Sequence, residues 1–234
     1  MACKKLGRLG LWITVLLSAG CSADNPFSRL SAINPATRKQ WADDESQGTT
    51  FYSRMQTLKD LESEASRLSD AEKLKTAQQL NSLVREESNP LLRAQAVRVL
   101  GRLEHPTAEM GLNMAEADAN TTVRQTVCDV RGQQRSRGGL QALARVLSND
   151  KEFDVRMAAA RQLRNYRDPQ AYQALGAALD DTDPAMQRLA MESLREASGQ
   201  NLGSDLSRWK QFAQTGEAPK SDSPAWASIL KPKF

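Results

Sequence analysis

The sequence predicts an all-α protein, a right-handed α-solenoid of stacked antiparallel helix pairs between a disordered N-terminal tether and a disordered C-terminal tail. Aromatic residues are only 5% of the chain, which disfavours β-sandwiches and β-barrels because their strands are rich in aromatic side chains. A similar segment returns every 31 or 32 residues. Within these segments, apolar residues keep the spacing of one helix face.

The first element, residues 1–20, has the pattern of an export signal. Lys4, Lys5 and Arg8 give it a positive start, and an apolar run over residues 9–17 follows. This run is too short to cross a bilayer, because a crossing takes about 20 apolar residues. A cleaved signal is therefore expected. An uncleaved membrane segment is the alternative.

A cysteine ends the next motif. Residues 17–21, Leu-Ser-Ala-Gly-Cys, resemble the lipobox of bacterial lipoproteins, with Ser18 where Leu is usual. The resemblance implies cleavage before Cys21, a diacylglycerol thioether on that residue and further acylation, for example by palmitate; a plain secretory signal with a chance cysteine is the alternative. Ser22 replaces the aspartate that commonly retains lipoproteins at the inner membrane. We expect a lipid-anchored envelope protein, at the outer membrane or the periplasmic face, with residues 21–50 as its tether.

Residues 89–200 form repeated units of helix, turn and helix. Similar segments begin at residues 91, 122, 154 and 185. One register holds Arg93, Arg124, Arg156 and Gln187, and the position six residues earlier holds Glu87, Asp118, Asp150 and Asp181. Four prolines mark expected helix starts: Pro90, Pro106, Pro169 and Pro184. We expect the arginines to pair with the acids as a ladder along the stack.

This pattern resembles the short HEAT-like repeats of the armadillo-type α-solenoid group. The Val-Arg-x-x-Ala lead helix and the Asp-Pro-x-Ala start of the next helix are clearest between residues 154 and 179. The resemblance implies a fold but no activity, because one fold hosts many functions. Residues 51–88 predict an N-terminal helical cap, residues 201–214 a C-terminal capping helix, and residues 215–234 a mobile tail.

The chain offers few groups for catalysis. Cys128 shares its register with core residues, so burial is expected, with a redox role as the alternative. His105 precedes a proline, as a loop or N-cap residue does. Iron-binding HEAT-like hydroxylases need several His–Glu pairs, which a single histidine cannot supply. We therefore expect no catalytic residue, no metal, no cofactor and no small-molecule substrate, and a protein that is not an enzyme.

Two groups of residues are candidates for binding a partner. Arg131, Arg135 and Arg137 lie among glycines in residues 129–139, which predicts a basic, loose patch for an acidic partner or else a degenerate repeat. The second helices of the units often line the concave face of such solenoids. There, one register holds Glu109, Gln141 and Gln173, a strip unlike a nucleic-acid groove.

The net charge of +4 does not indicate nucleic-acid binding. Three of the 32 basic residues and none of the 28 acidic ones lie in the signal, which leaves 29 against 28. The function we expect is a membrane-anchored protein–protein interaction scaffold of the bacterial cell envelope. It would bind an unidentified envelope protein, reach the membrane through the lipid on Cys21 and bind no nucleic acid. A passive spacer, a lyase or isomerase related to HEAT-like bilin lyases, and a nucleic-acid-binding HEAT protein are the alternatives.

Overall fold

The computed structural model describes residues 50–219, and they fold as ten α-helices without any strand. The predicted all-α class is confirmed. All ten helices belong to one compact unit of the chain. The predicted signal, Cys21, the tether up to residue 49 and the tail from residue 220 onward lie outside the described residues. None of the helices in the described range is long and apolar enough to cross a membrane.

Ten helices follow one another with short turns between them. Their bounds are α1 Phe51–Glu64, α2 Asp70–Glu86, α3 Pro90–Leu103, α4 Pro106–Ala115, α5 Thr121–Gln134, α6 Arg137–Asn149, α7 Phe153–Leu163, α8 Pro169–Ala178, α9 Pro184–Ser198 and α10 Leu206–Thr215. The odd-numbered helices α1 to α9 form one layer, in which each packs on the next. In the second layer, α2 packs on α4, α6 on α8 and α8 on α10.

The helix starts follow the capping residues of the sequence. Asn89, Asp168 and Asp183 each accept a hydrogen bond from the amide two residues on, ahead of a proline in the first turn. His105 does the same for α4, since its Nδ1 accepts from the Thr107 amide at 3.1 Å. The predicted N-cap role of His105 is confirmed.

The buried apolar side chains form two clusters that meet at α5. One extends from Leu58 to Val130, and the other from Cys128 to Ala213. Each fully buried Leu or Met contributes about 1.5–3 kcal/mol. Cys128 is 1% exposed, and burial raises the pKa of its thiol to about 12. The predicted core position of Cys128 is confirmed.

The predicted ladder of arginines and acids is present between successive units. Arg124 donates to Asp150 from Nε and Nη2 at 2.8 and 2.9 Å, and Arg93 donates to Asp118 at 2.7 and 2.8 Å. Arg124 Nη1 also donates to the Asp118 carbonyl at 2.8 Å, so each arginine ties the turn before its own helix to the next turn. The strongest of these pairs is largely buried, since the Arg124 and Asp150 side chains are only 7% and 9% exposed.

The ladder weakens toward the C-terminus. Arg156 Nη2 lies 3.9 Å from Asp181 Oδ2, and both side chains are about a quarter exposed. In the last unit, Gln187 replaces the arginine and keeps only the bond to the preceding carbonyl, that of Asp181, at 2.8 Å. The bond to the preceding carbonyl is therefore kept at every unit, while the ion pairing weakens toward the C-terminus.

Candidate functional site

The six residues predicted to bind a partner do not share one surface. Arg131 is buried, with 2% exposure, and the Glu109 side chain is 47% exposed. Four others are exposed: Arg135, Arg137, Gln141 and Gln173. The structure thus separates a buried charged cluster from exposed arginines and glutamines.

Arg131 lies where the other three units have leucine, and α4 surrounds its guanidinium with polar groups. Nη1 donates to Glu109 Oε2 at 2.5 Å, and Nη2 donates to Asn113 Oδ1 at 2.7 Å and Glu116 Oε1 at 3.0 Å. The buried Nε has no hydrogen-bond partner among the described residues. The prediction that Arg131 belongs to an exposed patch is wrong, because carboxylates of α4 already cover and neutralise it.

Arg131 and its polar partners lie where the two apolar core clusters meet. Among the described helices, α4 and α6 are the neighbours of the second layer that do not pack closely on each other. Side chains connect α4 and α6 instead: Glu116 accepts from Arg131, and its second oxygen accepts from Arg145 of α6 at 2.9 Å. A charged network therefore replaces apolar packing between α4 and α6.

The glycines near Arg131 mark close packing and not a loose segment. A Cβ at Gly132 would lie 2.2 Å from Oε1 of Gln162, and one at Gly139 would lie 2.7 Å from the Tyr166 hydroxyl. That hydroxyl donates to the Arg131 carbonyl at 2.6 Å. The predicted looseness is therefore wrong at Gly132 and Gly139, which let α7 and its following turn approach α5 and α6.

Arg135 and Arg137 project from the turn between α5 and α6. Arg135 ends α5 with a φ of 50°, and Arg137 begins α6. The next turn along the stack adds Arg167, which is also exposed and which sequence reasoning missed. A signal for it exists, because Arg135 and Arg167 both stand eleven residues after a ladder arginine.

The polar register of the second helices lies on α4, α6 and α8. Glu109 is engaged by Arg131, whereas Gln141 is exposed. Gln173 lines a cavity of about 290 Å³ between α8 and α10, together with Lys210. Gln141 on α6 and Gln173 on α8 are therefore open to a partner, whereas Glu109 on α4 is already bound by Arg131.

A second polar cavity, of about 310 Å³, opens on the first layer between α1, α3, α5 and α7. Its wall contains both acidic and basic groups, and Gln162 Nε2 donates to Asp129 Oδ1 at 2.7 Å. Within the described residues, no three His, Cys, Asp or Glu side chains come together as a metal site requires.

The fold and these contacts define the class of the described part, an α-solenoid. A family model described as HEAT repeats matches residues 109–195, from α4 into α9. The chain therefore contains HEAT-like repeats. No curated protein matches it.

Human deoxyhypusine hydroxylase, solved in complex with glycerol, is a similar structure, with a TM-score of 0.48 and 24% sequence identity. The likeness covers 53% of this chain and 44% of that chain, so the chain spans less than half the length of its neighbour. This finding corrects the expectation that the protein is not an enzyme, because a similar helical stack belongs to an enzyme. The likeness is one of fold and assigns no reaction to this chain.

Proposed function

We propose that this protein is a lipid-anchored scaffold of the bacterial cell envelope whose helical stack binds another protein. The observation that carries the proposal is the rigid stack itself, in which ladder pairs such as Arg124–Asp150 fix the position of each unit relative to the next. Stacked repeats present an extended surface without a closed pocket, and such surfaces bind proteins. Exposed Gln141 and Gln173 on successive second helices belong to that surface.

The anchoring part of the proposal rests on the sequence. Residues 17–21 resemble a lipobox, and two or more acyl chains bind a membrane stably, since each buried methylene contributes about 0.8 kcal/mol. We expect the full chain to enter the detergent phase of a Triton X-114 separation and the Cys21→Ser variant to stay in the aqueous phase. Cys128→Ser is the matched control, because it changes the buried cysteine and leaves the motif intact. Equal partitioning of wild type and Cys21→Ser would refute lipid anchoring.

In-cell crosslinking with mass spectrometry tests the scaffold. We expect one envelope protein to recur with the wild-type chain, with crosslinks that map to the helical stack. Gln141 and Gln173 carry no charge, so their replacement by lysine breaks no ion pair. We expect these replacements to reduce the yield of the crosslinked partner. Glutamine replacement at the exposed Arg188 is the control. A wild-type chain that captures nothing above background would favour a passive spacer and refute the scaffold.

A further inference from the structure

Two neighbouring turns give one side of the stack exposed positive charge. It consists of Arg135 and Arg137, between α5 and α6, and Arg167, between α7 and α8. We call these three residues the arginine edge. All three are exposed, and none forms a salt bridge with another residue in the described range 50–219.

Tyr166 holds the two turns against each other. Its hydroxyl donates to the Arg131 carbonyl at 2.6 Å, and its ring is adjacent in sequence to Arg167. Burial raises the pKa of Tyr166 to about 12, while the charges of Arg131 and Arg135 act to lower it. The hydrogen bond therefore holds the turn between α7 and α8 against the end of α5, so that Arg135 and Arg167 belong to neighbouring turns.

The local charge is unbalanced. Residues 130–149 contain four arginines and no acidic residue. Glu109 of α4 and Glu116, which follows α4, neutralise two of them, Arg131 and Arg145, so the positive charge that remains in this segment is that of Arg135 and Arg137.

Two helices, α6 and α8, also begin at these turns. The neutral Ser136 caps α6, so the positive end of the α6 dipole adds to the potential. The acid next to Arg167 is Asp168, which caps α8 by accepting from the Gln170 amide at 2.7 Å. Asp129 lies six residues before Arg135 and accepts from Gln162, and Glu104 lies in the preceding turn of the stack, between α3 and α4.

We propose that the arginine edge binds a segment of a protein partner that carries several carboxylates. The inference rests on the proposed scaffold function and names the chemistry of its partner. Guanidinium groups bind carboxylates through paired hydrogen bonds, and charge complementarity fixes the orientation of a partner. An anionic membrane fits less well, because none of the large exposed apolar side chains of the described residues lies in these two turns.

A binding experiment with defined probes tests this assignment. The full chain, with Cys21→Ser in every sample, is titrated into a fluorescein-labelled hexaglutamate peptide at low ionic strength. The edge variant carries Arg135→Glu, Arg137→Glu and Arg167→Glu. The control variant carries Lys59→Glu, Arg85→Glu and Arg188→Glu, three exposed residues without a salt bridge in the described range, so that its net charge changes equally.

We expect the edge variant to bind the peptide about tenfold more weakly or worse, and the control variant to bind as the wild type does. Circular dichroism verifies that all three chains keep their helices. No peptide binding by the wild type, or an equal loss in both variants, would overturn the assignment. So would edge-dependent sedimentation with phosphatidylglycerol vesicles in the absence of edge-dependent peptide binding.

The cellular crosslinking experiment separates this inference from the function on which it rests. If the wild type captures a partner and the edge variant captures it equally well, the arginine edge is not the contact and the scaffold stands. If the wild type captures no partner while the peptide titration shows edge-dependent binding, the scaffold fails and the acidic-ligand site stands.

Discussion

The ladder pair Arg124–Asp150 allows a quantitative test, because the chain contains a weaker copy of the same pair. Arg124 donates two hydrogen bonds to Asp150, and both side chains are less than 10% exposed. In the next unit, Arg156 and Asp181 are 3.9 Å apart and about a quarter exposed. Removal of one partner from a buried pair costs about 3–5 kcal/mol, because the remaining charge is left unpaired, whereas an exposed pair contributes about 1 kcal/mol or less.

The test compares Arg124→Met with Arg156→Met. We expect the first variant to lose about 3–5 kcal/mol of unfolding free energy and the second about 1 kcal/mol, since methionine keeps the length but not the charge. The measurement is urea unfolding of the full chain at pH 7, followed by circular dichroism. Arg188→Met is the control at an exposed position, where we expect a change within about 0.5 kcal/mol. Equal losses from Arg124→Met and Arg156→Met would refute the argument that burial sets the strength of the ladder.

The pair also predicts a pH dependence with a defined sign. Burial acts to raise the pKa of Asp150, but hydrogen bonds from Arg124 and from the Glu152 amide, with the charge of Arg124, lower it overall. A lowered folded-state pKa gives stability that is present above the unfolded value, near 3.8, and is lost as the pH falls through the folded value. We therefore expect the deficit of Arg124→Met to shrink between pH 5 and about pH 3. A deficit that stays constant over this range would contradict the electrostatic explanation.

Three further predictions concern the glycines at 138 and 139, Glu104 and Cys128. Gly139→Ala should lower the unfolding free energy by about 1–3 kcal/mol, because the new Cβ meets the Tyr166 hydroxyl. Gly138→Ala should raise it by about 0.5–1 kcal/mol, because that helical site is open. Thermal unfolding of both variants tests this, and a loss of stability in Gly138→Ala would contradict the packing argument. Glu104→Gly should stabilise the chain by about 1 kcal/mol in urea unfolding, since Glu104 has a φ of 48°, and a loss would show that its side chain is needed. Cys128 should react with a thiol reagent only at the rate of unfolding, because its pKa is about 12 and its exposure 1%. Rapid labelling of a Cys3→Ser, Cys21→Ser chain at pH 8, beyond that of a Cys3→Ser, Cys21→Ser, Cys128→Ser control, would refute its burial.

The repeats are predictable from sequence because the interactions that create them are local and recurrent. A cap such as Asp183 needs only the amide two residues away, so its role is visible in the sequence. The ladder is also visible, since a fixed repeat length places Arg124 opposite Asp150 whatever lies elsewhere. Its burial is not, because burial depends on how closely successive units pack.

The candidate site shows where such reasoning stops. Three arginines within seven residues, at positions 131–137, look alike in sequence, yet one is buried and two are exposed. The difference arises from Glu109 and Glu116, which α4 brings to Arg131. Glu109 lies 22 residues and Glu116 15 residues earlier in the chain, so no local pattern pairs them with Arg131.

The sequence by itself determined the helical repeats, their register and the ladder, because 3.6-residue periodicity and a constant unit length are properties of the chain. Tertiary structure alone decided which charges remain available. It buried Arg131 against Glu109 and Glu116, and through the Tyr166 bond to the Arg131 carbonyl it held the turn that carries Arg167 against the end of α5. The physical reason is that the free energy of a charge depends on its surroundings, and distant segments supply those surroundings only once the units have stacked.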